Sequence, residues 1–190
     1  MKLVLASKSP RRRELLSLCS KDFEVRVSDA DESYDKELEP KEIARAIATK
    51  KARAVPISKS EIVIGCDTIV VSPSGEIMGK PKDKDDAIRM LKELSGTAHE
   101  VISGICVLSH EREHSSSVVT TVYMRKLCDD EIEYYVSRFM PTDKAGAYGI
   151  QEMAGAFVEK IDGDFFNVVG LPLCKLSQIL RDEFGLPITY

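Results

Sequence analysis

Three arginines stand where a helix should begin. Leu3-Val4-Leu5-Ala6 reads as a short strand, Ser7-Lys8-Ser9-Pro10 follows, and Arg11-Arg12-Arg13 come next. Ser9 suits an N-cap, Pro10 suits the first helical position, and Leu15, Leu16 and Cys19 supply an apolar stripe. The arginines therefore fall in the first turn. A helix N-terminus already carries about half a positive charge, so each exposed arginine there costs roughly 0.3–1 kcal/mol unless an anion arrives. On this ground alone, removing Arg12 would slightly stabilise the ligand-free protein. Free backbone N–H groups, the serine hydroxyls and the guanidinium forks all suit a ligand phosphate. The turn reads as a polyphosphate cradle; the alternative is a solvated basic turn that follows a strand.

Asp67 is the second centre of chemistry. It lies in a strand over Ile62 to Val71, sharing a face with Val63, Gly65, Ile69 and Val71, while Ile62, Ile64 and Val70 take the other face. Both faces are mostly apolar, which predicts a central strand. An unpaired carboxylate there would cost several kcal/mol, so Asp67 needs a lysine, an arginine, a metal or a strand end opening into a cleft. A buried salt bridge without chemistry is the bland counterpart. Thr68 is either a second polar contact or a β-branched strand residue. Lys80, fixed between Gly79 and Pro81, and Lys51, near the end of a helix, could each reach a phosphate or simply face solvent. Glu32 fits a metal ligand or an ordinary acidic loop, and Gln151 could read a base edge.

One motif is set aside. His110-Glu111-Arg112-Glu113-His114 matches the zinc-protease pattern, which requires both histidines on one face of a helix. Here it falls between two β runs and reads as a polar hairpin tip. His99 reads as a structural histidine. The glycine patterns of P-loops, dinucleotide-binding turns and nucleophile elbows are absent.

The elements that must position these residues belong to a chain of 190 residues with 43% hydrophobic content and net charge −4. That allows a sizeable core and argues against a broad basic surface for nucleic acid, so an anionic ligand must meet a local basic cluster. Met1-Lys2 leads into a strand with no signal-peptide pattern, and no apolar run reaches about 20 residues. The expectation is a soluble, cytoplasmic protein with no membrane partner. The five cysteines, with no C-x-x-C pair, read as reduced core residues.

Along the chain, Phe23–Val27 is a short strand, followed by the acidic loop Asp29-Ala30-Asp31-Glu32. Residues 40 to 54 have helical spacing through Ile43, Ala44, Ile47, Ala48 and Ala52. After Ile62–Val71, Pro73-Ser74-Gly75 turns the chain and Glu76-Ile77-Met78 returns. Residues 84 to 94 form a helix with Ala87, Ile88, Leu91 and Leu94 on one face. Two β runs, His99–Leu108 and Val118–Lys126, form a hairpin. Asp130 and Glu133 fit a capping box for a helix of Ile132 to Phe139. Lys144 to Gln151 is a glycine-containing loop, Phe157 to Ile161 a strand, and the last helix spans 172 to 184. This alternation is α/β, with a mixed sheet because of the central hairpin. With no linker, residues 1–190 read as one domain.

Several blocks stand in order: Leu5-Ala6-Ser7-Lys8-Ser9-Pro10-Arg11-Arg12, Lys51-Ala52, Gly65-Cys66-Asp67-Thr68-Ile69-Val70, Gly79-Lys80-Pro81, Leu94-Ser95-Gly96, Lys144 through Gln151, and Asn167 through Leu173. From about residue 3 to 184 the chain resembles the Maf family of nucleoside triphosphate pyrophosphatases, once named for septum-formation inhibition. The resemblance implies an α/β fold of the Maf or inosine triphosphate pyrophosphatase type. Its mixed, bent central sheet is flanked by helices, with two lobes around a nucleotide-binding cleft. It implies hydrolysis of a nucleoside triphosphate to the monophosphate and pyrophosphate with a divalent cation (magnesium, manganese or cobalt). The chain looks most like the branch acting on dTTP and UTP. On that resemblance Arg11, Thr68 and Gln151 select the substrate. Asp67 is the base, and Ser7, Arg12, Lys51 and Lys80 bind substrate, with Glu32 and Asp67 toward the metal. House-cleaning of modified pyrimidine nucleotides, a link to cell-division arrest and a homodimer are compatible with it. Cys66, where alanine is usual, and Asp164-Phe165-Phe166 depart from the family pattern. A nucleotide-binding regulator without catalysis and a pyrophosphatase for non-standard purine triphosphates remain the competing readings.

Overall fold

The computed structural model describes residues 1–27 and 29–187. Its frame is a seven-stranded mixed sheet. Strands β1 (Lys2–Ala6), β2 (Phe23–Val25), β3 (Glu61–Val71), β5 (Ala98–Leu108), β6 (Glu113–Met124) and β7 (Val158–Asp162) lie in the order β2-β1-β3-β5-β6-β7, and the two-residue β4 (Ile77–Met78) pairs with β3. β1 runs parallel to β2 and β3, and the remaining pairings are antiparallel. The mixed character follows from the chain: parallel neighbours need long crossovers, whereas the tight turns after β3 and β5 give the antiparallel β3–β4 and β5–β6 pairs.

Helices cover both faces. On one face, α1 (Pro10–Cys19) and α6 (Leu173–Phe184) bury Leu15, Leu16, Leu176 and Leu180 against Leu3, Leu5, Ile62 and Ile64. On the same face, α3 (Lys84–Leu94) and α4 (Asp129–Phe139) bury Leu91, Leu94, Ile132 and Tyr135 around Val70, Val101 and Val122. Thr68 falls between these two clusters, so the face is split by a cleft at that position. The opposite face carries α2 (Pro40–Arg53), whose Ala44, Ala48 and Ala52 sit directly on the sheet. Small residues let it approach closely: a Cβ on Gly65 would lie 2.3 Å from the Ala48 carbonyl oxygen, and one on Gly104 2.1 Å from that of Ala44.

Several sequence expectations need adjustment. β2 stops at Val25, two residues before the predicted end, and β7 begins at Val158 because Phe157 closes a buried 3₁₀ turn. The β5–β6 hairpin is longer and its tip shorter than expected, with β6 starting at Glu113. His114 pairs with Val107 across the ladder, so the histidine motif is half strand and never helical. α4 starts at Asp129, and its capping box is Cys128 with Glu131, not Asp130 with Glu133. The Cys128 N–H donates to the Glu131 carboxylate at 3.1 Å. Cys66 and Cys106 are buried, but Cys128 and Cys174 are exposed, which corrects the reading of all five as core residues. A helix end and the polar side of α6 place these two outside. Among the described residues, no helix is long and apolar enough to cross a membrane.

Candidate active site

β1 pairs with β3 only as far as Gly65, and β4 resumes pairing on that edge at Val70. β5 occupies the opposite edge from Val63 to Val71. Strand β3 is therefore central at its start and open-edged over residues 66–69. Asp67 and Thr68 sit in this gap, which explains how neighbours on opposite faces of one strand both line a single cavity of about 800 Å³. The cavity lies beyond the carboxyl end of β1, where open α/β sheets bind ligands.

The α1 N-terminus forms one wall. The Ser9 hydroxyl accepts from the Arg12 N–H at 3.4 Å, and Pro10 opens the helix as expected. Arg12 is held by three acceptors: Nε donates to the Gly170 carbonyl at 2.9 Å, one terminal nitrogen to Thr68 Oγ1 at 3.1 Å, and the other to Ser7 Oγ at 3.4 Å. Thr68 Oγ1 also lies 2.8 Å from Ser103 Oγ. Arg11 takes a different partner, the Asp143 carboxylate at 3.1 Å. Arg13 is exposed and does not line the cavity, so the basic turn offers two arginines to it rather than three.

The opposite wall is a carboxylate–ammonium–carboxylate group. Lys51 Nζ lies 2.6 Å from Asp67 Oδ1 and 2.9 Å from Glu32 Oε1. Asp67 and Lys51 are almost wholly enclosed, whereas Glu32 is mostly exposed. The reach of Lys51 from the last turn of α2 follows from the seating of that helix on Gly65 and Gly104. Lys80 and Gln151, both exposed, complete the lining together with Ser7 and Arg11. The structure thus brings Ser7, Arg11, Arg12, Glu32, Lys51, Asp67, Thr68, Lys80 and Gln151 around one cavity. It links Thr68 to Arg12, however, and not to Arg11.

Two carboxylates converging on one cation test whether this donor set suits a metal. Among the described residues, no group of three or more His, Cys, Asp or Glu side chains could hold one. Hard divalent cations such as magnesium need only one or two carboxylates when substrate phosphates supply the other oxygens. Asp67 and Glu32, already gathered around the Lys51 ammonium, fit that requirement.

Other polar residues of the site carried no role in the sequence reading. Asp164 caps the short helix α5 (Phe165–Val169), accepting from the Phe166 N–H at 2.8 Å. That helix ends at Gly170, whose carbonyl faces Arg12, so the unusual Asp-Phe-Phe segment serves to aim an acceptor into the cleft. The buried Cys66 thiol donates to the same carbonyl at 3.3 Å, and burial pushes its pKa up, so it stays protonated. Asn167 is buried and donates to the Val101 carbonyl at 2.9 Å, fixing α5 on β5. Asp143, Lys144 and Glu152 form an ionic chain beside Gln151. Its one sequence signal is that Asp143-Lys144 and Glu152 bracket an uncharged run over 145–151.

Comparison with known proteins places the chain in a family. A family profile described as Maf-like protein matches residues 2–183. Relatives from Alkaliphilus metalliredigens and Acetivibrio thermocellus, each named dTTP/UTP pyrophosphatase, are 49% and 48% identical, covering 97% and 99% of this chain and 97% and 98% of theirs. One from Thermosipho africanus with the same name is 47% identical over 96% of this chain and 94% of its own. Among solved structures, the Ham1 protein of Staphylococcus aureus aligns with a TM-score of 0.46 at 13% identity, over 65% of this chain and 72% of that one. Residues that line the cleft and a match spanning almost the whole sequence lead to one conclusion: the chain belongs to the Maf-like protein family.

Proposed function

We propose that this protein hydrolyses dTTP and UTP to the nucleoside monophosphate and pyrophosphate. The observation that carries the proposal is the β3 gap, where Asp67 and Thr68 stand side by side, one held by Lys51 and the other by Arg12. The naming of relatives at 46–49% identity supports the same substrates. In this reading Arg12, Ser7 and the α1 N-terminus face the phosphates, with Lys80 adding positive charge. Asp67, oriented through Oδ1 by Lys51, accepts a proton from water attacking the α-phosphorus, and pyrophosphate departs as the bond to its bridging oxygen breaks. Asp67 and Glu32 would hold a divalent cation, which when bound supplies charge neutralisation and Lewis acidity toward phosphate oxygens.

Base choice falls to the rim. A uracil or thymine edge offers two carbonyl acceptors flanking an N–H, which the Gln151 amide can match with one donor and one acceptor. Cytosine reverses that order, with N3 accepting and the 4-amino group donating, so an amide held in one orientation meets a mismatch of about 1–3 kcal/mol, or roughly 5- to 150-fold in specificity. Pyrophosphate release from UTP, dTTP, CTP, GTP and ITP, with magnesium and with EDTA, tests the whole reading. UTP and dTTP should be preferred, yield pyrophosphate rather than orthophosphate, and need the cation. A preference for GTP or ITP would instead favour a purine-directed enzyme, and no release from any nucleotide would favour a binding protein.

A further inference from the structure

Among the described residues that line the cavity, Lys144 is the one lysine whose ammonium is not directed at Asp67 or left at the surface. Its side chain is 10% exposed, and Nζ lies 2.7 Å from Asp143 Oδ1 and 3.3 Å from Glu152 Oε1. The other oxygen of Asp143 accepts from Arg11 at 3.1 Å. A continuous ionic chain therefore runs from the first turn of α1, through Asp143 and Lys144, to the residue following Gln151. The lysine stem is also packed: a Cβ on Gly149 would lie 2.9 Å from Lys144 Cε and 3.0 Å from Cδ. Gly149 and Glu152 close a turn, with the Glu152 N–H donating to the Gly149 carbonyl at 3.0 Å, and Ile150 and Gln151 form its tip. Lys144 thus touches both ends of the turn that presents Gln151, one through its methylenes and the other through its charge.

We infer that Lys144 is a positioning residue for base recognition, a latch that fixes the Gln151 turn and ties it through Asp143 to Arg11. The inference rests on the reading that the cleft takes a pyrimidine triphosphate and that Gln151 meets its base. Burial alone would raise the Asp143 pKa, but hydrogen bonds from Lys144 and Arg11 outweigh it and hold the carboxyl below its ordinary range, as a paired latch requires. Asp143 and Glu152 are 60% and 44% exposed, so releasing either lets water solvate it, and the loss falls on order rather than on a stranded buried charge.

The test uses the full-length protein with Lys144→Met, which keeps the stem, Glu152→Gln, Gln151→Ala, and the Lys144→Met/Gln151→Ala pair. Both latch variants should lower the ratio of kcat/KM for UTP over CTP by about fivefold or more through KM, with kcat for UTP within about twofold of the parent. Hydrogen exchange of the ligand-free protein should rise over residues 149–152 and stay unchanged in β3. Gln151→Ala should cost less UTP selectivity in the Lys144→Met background than in the parent. An equal loss on UTP and CTP would mark Lys144 as merely structural and overturn the inference. If Lys144→Met does not fold, Glu152→Gln decides, because that side chain is half exposed. A parent that prefers UTP, with Glu152→Gln leaving its ratio unchanged, overturns the latch and leaves the proposed function standing. A parent that does not prefer UTP overturns both.

Discussion

Asp67 lies 2.6 Å from Lys51 and is almost wholly enclosed, so its proposed role as the base can be separated from that of a salt-bridge partner by substitution. Asp67→Asn keeps the shape and leaves Lys51 its Glu32 partner, so the fold should persist while turnover of UTP falls by about 10²–10⁴. A thermal melt beside a pyrophosphate-release assay checks both halves, and near-normal turnover would remove Asp67 from the chemistry. Arg12 behaves differently from its sequence expectation. Dipole repulsion alone suggests that Arg12→Ala stabilises the ligand-free protein. The guanidinium, however, joins α1 to β3 and to the end of α5 through Thr68 and the Gly170 carbonyl. Losing those hydrogen bonds should cost about 1–2 kcal/mol, which exceeds the relieved repulsion. Melts of Arg12→Ala should therefore show a lower midpoint without ligand. They should also show a much smaller upward shift with a non-hydrolysable UTP analogue. An unchanged shift would count against a phosphate role for this arginine.

The element that positions the Asp67 side of the cleft is α2. Its alanine stripe rests on Gly65 and Gly104, and Lys51 projects from its last turn toward Asp67. Gly104 faces backbone rather than a flexible side chain, since its Cβ would meet the Ala44 carbonyl oxygen at 2.1 Å and the Arg45 nitrogen at 2.6 Å. Gly104→Ala must therefore push the helix away from the sheet, at a cost of about 2–4 kcal/mol. Urea unfolding measures that cost. Because the shift separates Lys51 from Asp67, the folded fraction should also turn over UTP more slowly, although Gly104 is not part of the cavity lining. A variant as stable as the parent would show that the α2 seat can yield.

Across the whole molecule, stability should fall in mildly acidic solution. His99 is buried in the α3–α4 lobe, shares a 2.7 Å hydrogen bond with Tyr148, and is pushed by burial from its ordinary 6.5 down to about 4. The unfolded chain binds this proton at a higher pH than the folded one does. The contribution of neutral His99 is thus complete above pH 6.5 and is lost as pH falls toward 4, by on the order of 3 kcal/mol. Glu61 and Glu131, held near 2 by hydrogen bonds from Arg26 and Arg125, act in a lower window, between their ordinary 4.5 and about 2. Denaturant midpoints measured from pH 7 to 5 should decline in the parent and flatten in His99→Gln. A parent midpoint that stays level over that range would contradict the buried neutral histidine.

What the sequence determines by itself is local. Ser9 and Pro10 start α1, the spacing of Ile43 to Ala52 sets the buried face of α2, and the apolar run of β3 marks Asp67 as a residue in need of a partner. These follow from caps and periodicity, which depend on neighbours in the chain. The α4 start is not legible, because Cys128 is an unusual cap and the acidic residues after it suggest a later one. The β3 gap was not legible, since it depends on where β1 stops and β4 resumes relative to a strand between them. Nor were the partners across the cleft. Arg11 meets a carboxylate 132 residues away, and Arg12 a carbonyl 158 residues away. Two adjacent arginines of the same type look alike in sequence. The helix itself turns them about 100° apart, but only the tertiary structure, by bringing Asp143 to one side of α1 and Thr68 to the other, decides which partner each one meets.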